Sequence, residues 1–81
     1  PDYYREQIAG MYGRLESLLK TAVPQRSPEE LARAARALWG GVQGLCVLAL
    51  SDKLDIDRIE SLPEVADSLV GDYVTGLRSA P

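Results

Sequence analysis

Apolar residues recur along the chain at intervals of three and four in three separate blocks. In the first, Tyr4, Ile8, Met11, Tyr12, Leu15, Leu18, Leu19 and Ala22 make one stripe, with Arg5, Glu6, Arg14, Glu16 and Lys20 mostly off it. That period predicts an amphipathic helix over residues 2–22. Pro24 ends it, because the residue before proline avoids the helical region. Gly10 and Gly13 weaken this helix by up to about 1 kcal/mol each relative to alanine.

The second block opens on Ser27-Pro28-Glu29-Glu30. Ser27 suits the N-cap, Pro28 the first helical position, and Glu30, three residues after Ser27, completes a capping box. A helix is predicted over 28–51, with Leu31, Ala35, Leu38, Val42, Leu45 and Ala49 on one face. Trp39, Gln43, Cys46 and Leu50 lie about 100° round. From Leu38 to Leu50 the only polar side chain is Gln43, and Gly40, Gly41 and Gly44 fall among the apolar residues. Such a stretch needs cover on nearly every side. The glycines point to a close packing contact or a pocket. Gly40 and Gly44, four apart, make a small-xxx-small pattern that fits either a dimer contact or close approach of the chain's own helices.

Residues 51–60 are polar, with Leu54, Ile56 and Ile59 interspersed, and are read as a loop. Ser61-Leu62-Pro63-Glu64 repeats the cap pattern. A third helix is predicted over 62–78 with Val65, Leu69, Val70, Tyr73, Val74 and Leu77 as its stripe. No strand pattern, internal repeat or low-complexity tract is present. The fold expected is all-α: three antiparallel helices in a single helical domain, sequential helices being neighbours across short loops.

Length changes this picture. At 81 residues, a chain buries roughly 60% of its unfolded surface and is marginal alone. Part of the cover for the second helix is therefore expected from a second copy. The expected interface is Gly41, Gly44, Leu45 and Leu48 with Val70, Tyr73, Val74 and Leu77, giving a dimeric helical bundle. Gln43, Trp39, Cys46 and, from the first helix, Tyr12 are candidates for a ligand pocket. The alternative for each is ordinary packing, and for Gln43 a hydrogen bond to backbone or to its mate across a dimer.

Charge and chemistry mainly exclude. The net charge is −3, and the nine basic residues are scattered with no two adjacent. Nucleic-acid binding by this chain alone is disfavoured. With no histidine, one cysteine and no ligand-spaced cluster, neither a metal site, a cofactor nor an internal disulfide is expected. Asp52, Asp55 and Asp57 follow no calcium-loop spacing and read as a solvated turn. No catalytic constellation is present, so an enzyme is not expected. No apolar run reaches the roughly 18 to 20 residues of a membrane span. A signal peptide is not evident, and a cytoplasmic protein is the default. The only methionine is Met11, so residues upstream of Pro1 are expected in the natural product.

The block A-x-A-L-W-x-x-x-x-G-L-x-x-L-x-L, a polar turn, and a last amphipathic helix closing on Gly76-Leu77 resemble the C-terminal region of TetR-type regulators. In one branch of that family the central helix carries tryptophan, then histidine and glycine. Trp39, Gln43 and Gly44 stand at those places. The resemblance covers about residues 27–77 and, weakly, the first helix. It implies an effector-sensing and dimerisation domain: a homodimer through the last two helices, an unidentified small apolar or amphipathic ligand, and DNA contact only through a missing N-terminal helix-turn-helix domain. Glutamine in place of the histidine hydrogen-bonds but does not titrate, so no role resting on the histidine's charge transfers. The alternative from the residues alone is a stand-alone helical homodimerisation or protein-interaction module.

Overall fold

The computed structural model describes residues 2–54 and 61–79. It contains three helices, α1 (Asp2–Ala22), α2 (Pro28–Leu50) and α3 (Leu62–Ser79), and no strand among the described residues. The all-α expectation holds, with helix ends within one residue of those predicted. Ile56, Ile59, Asp55 and Asp57, part of the expected loop, lie outside the described residues.

The boundaries form for the reasons their residues suggest. At α2 the capping box is complete. The Glu30 N–H donates to the Ser27 hydroxyl at 3.1 Å, and the Ser27 N–H donates to Glu30 Oε1 at 3.0 Å. Two N–H groups without an intrahelical acceptor are thus satisfied reciprocally. At α3 the Glu64 N–H donates to the Ser61 hydroxyl at 3.3 Å. The far end of α1 is held by Lys20, whose Nζ donates to the Pro24 carbonyl at 3.0 Å.

The end of α2 is a Schellman motif without glycine. Lys53 N–H donates to the Leu48 carbonyl at 2.8 Å and Asp52 N–H to the Ala49 carbonyl at 3.2 Å. Asp52 occupies the left-handed position, with φ 57°, where glycine is usual and aspartate is tolerated. Ser51, predicted as the last helical residue, is therefore the cap after Leu50.

The chain divides into two compact units, Pro1–Arg36 and Ala37–Pro81. The 23 residues of α2 contribute to both units.

In the first unit α1 pairs with the start of α2. The buried residues are Leu19, Val23, Leu31, Ala34 and Ala35, which close the turn between the two helices. Small alanines at 34 and 35 let the backbones approach. Burying a leucine such as Leu31 stabilises by about 1.5–3 kcal/mol. The covered face of α1 consists of Met11, Tyr12, Leu15, Glu16, Leu19 and Ala22, all but Glu16 on the predicted stripe. Leu18, also on that stripe, keeps 67% of its surface. All of residues 2–10 are exposed, so Tyr4 and Ile8 continue the stripe without cover.

In the second unit the rest of α2 pairs with α3. Leu38, Val42, Leu45 and Ala49 on α2 are half-buried, as are Leu62, Val65, Ala66, Leu69, Tyr73, Val74 and Leu77 on α3. The closest approach is at Gly41: a Cβ there would stand 2.7 Å from Leu69 Cδ2. No described residue of this unit is fully buried.

Candidate functional site

The four predicted pocket residues fall in different units. Tyr12, in the first, is committed to a contact: the Arg36 guanidinium carbon lies 4.5 Å from the centre of its ring. Arg36 Nη1 also donates to Glu16 Oε2 at 3.1 Å and to the Ala32 carbonyl at 2.9 Å. Residues 12 and 16 are one turn apart on α1, so one guanidinium engages a ring face and a carboxylate together. Sequence reasoning missed this cluster, although Tyr12 and Glu16 at i, i+4 was a visible signal.

Trp39, Gln43 and Cys46 belong to the second unit. Trp39 and Cys46 are half-buried and Gln43 is exposed. Gln43 therefore carries no desolvation cost in the single chain, and its amide is open to an outside partner. Cys46 is a free thiol.

Of the eight predicted interface residues, Gly44, Leu48 and Val70 are exposed and Gly41, Leu45, Tyr73, Val74 and Leu77 are half-buried. The glycines divide. Gly41 turns inward to Leu69, while Cβ atoms at Gly40 and Gly44 would meet nothing within 4 Å. Gly41 thus serves packing within the chain. The prediction omitted Val47 and Leu50, which keep 63% and 90% of their surface. Helical spacing was enough to place Val47 on the face of Gly40 and Gly44, which stand seven and three residues before it.

A surface emerges on the outer side of α2. Gly40, Gln43, Gly44, Val47, Leu48 and Leu50 are all exposed, and no charged residue occurs between Ala37 and Leu50. In the first unit α2 carries the exposed charges Arg33 and Arg36. Soluble helices ordinarily turn charge outward, whereas this stretch of α2 exposes apolar residues and one amide.

A shifted carboxyl lies at the start of α2. The Glu30 carboxyl is held below its usual range, chiefly by the Ser27 backbone N–H, then by the Ser27 hydroxyl and by Arg26. Arg26 Nη1 is 3.4 Å from Glu30 Oε2. This belongs to the cap and is not arranged for catalysis. Two open depressions lie each within one unit, one on α1 beside Gly10, Gly13, Arg14, Ser17, Leu18 and Thr21, the other on α3 beside Asp72, Tyr73, Gly76 and Leu77. Among the described residues no group of three histidine, cysteine, aspartate or glutamate side chains is placed to hold a metal ion. No described helix is long and apolar enough to cross a membrane.

No protein-family model, curated protein or solved structure matches this chain.

Proposed function

We propose that this chain is the effector-sensing and dimerisation part of a TetR-type transcriptional regulator, and that two copies associate through α2 and α3. The observation that carries the reading is the charge-free outer face of α2, exposed from Gly40 to Leu50. A second support is the second unit's lack of any fully buried described residue. A two-helix pair leaves its apolar surface half in water, and a second copy supplies the missing layer. The order of capped helices and the series Trp39, Gln43, Gly44, Leu45 add the resemblance described above.

In this reading the interface is formed by Gly44, Leu48 and Val70 together with Gly40 and Val47. Gly41 packs against Leu69 inside each protomer. Trp39, Gln43 and Cys46 border the space offered to a small apolar or amphipathic effector. Effector binding alters the DNA affinity of a helix-turn-helix domain elsewhere in the protein. The chain acts through binding and not through catalysis, in the cytoplasm.

The intact gene product tests the regulator reading. Its N-terminal sequence and mass are expected to include a basic helix-turn-helix segment upstream of Pro1. A product that begins near Pro1 overturns that reading and leaves a self-associating helical module.

A further inference from the structure

We draw no further inference here: the strongest candidate, the exposed apolar patch of Tyr3, Tyr4 and Ile8 at the start of α1, is an unpartnered helix face, and nothing in the structure shows what covers it.

Discussion

A side-chain carbon at Gly41 would stand 2.7 Å from Leu69 Cδ2, whereas Gly40 and Gly44 have nothing within 4 Å. Three glycines in five residues thus do two different things. Alanine in place of an exposed helical glycine gains up to about 1 kcal/mol. Gly40→Ala and Gly44→Ala are expected to stabilise the protomer by roughly that amount and to weaken association. Gly41→Ala displaces a methyl of Leu69 and is expected to fall about 1 kcal/mol short of the Gly40→Ala gain. Urea unfolding of the three variants, measured with their molar masses, separates the two roles.

The cluster of Arg36 with Tyr12 and Glu16 ties α1 to α2 at the surface, with Arg36 about half exposed. An exposed ion pair contributes about 0.2–1 kcal/mol and an exposed cation–ring contact about 0.5–1 kcal/mol. Arg36→Met is expected to cost about 1 kcal/mol. Salt is expected to remove only the Glu16 share, because the ring contact screens less. Denaturant midpoints at low and high salt measure the two shares.

The capping box makes α2 sensitive to acid. The Glu30 carboxyl has a lowered pKa in the folded chain. Its contribution is therefore complete above the ordinary glutamate range and is lost as pH falls through the folded value. Stability is expected to decline on acidification from neutral to about pH 3, with a shallower decline in Glu30→Gln, which lacks the contribution throughout. Ser27→Ala is expected to cost about 1 kcal/mol. Thermal melts across that pH range give both results.

Asp52 holds the left-handed cap of α2 at φ 57°. Glycine adopts that conformation without the Cβ penalty. Asp52→Gly is expected to raise stability by about 0.5–1 kcal/mol, read from the shift in urea midpoint at constant slope.

Much of this architecture is legible in the sequence because local chemistry dictates it. Ser27 with Glu30, Ser61 with Glu64, and Pro24 set helix boundaries through bonds within a few residues. The inner stripe of α2, from Leu31 to Ala49, follows from period alone. What period does not give is which part of a stripe meets a partner. Tyr4 and Ile8 continue the α1 pattern but stay exposed, while Val23, outside the predicted stripe, is fully buried in the turn. The cap at Asp52 lacks the glycine that would have signalled it. The three glycines are alike in pattern, and the height at which Leu69 on α3 passes α2 decides which one is occupied. Gln43 gave a polar residue in an apolar run, and only its exposure showed that it faces outward.

The central claim is that the outer face of α2 joins two copies, and Leu48 lies on that face. Leu48 is exposed in the single chain, so Leu48→Arg is expected to leave the protomer folded. The decisive measurement is molar mass by light scattering, taken down to low micromolar concentration, for the wild-type chain and for Leu48→Arg. The account predicts twice the chain mass for the wild type and the chain mass for Leu48→Arg, with unchanged helix content. A folded wild-type monomer, or a Leu48→Arg dimer of unchanged affinity, would contradict it.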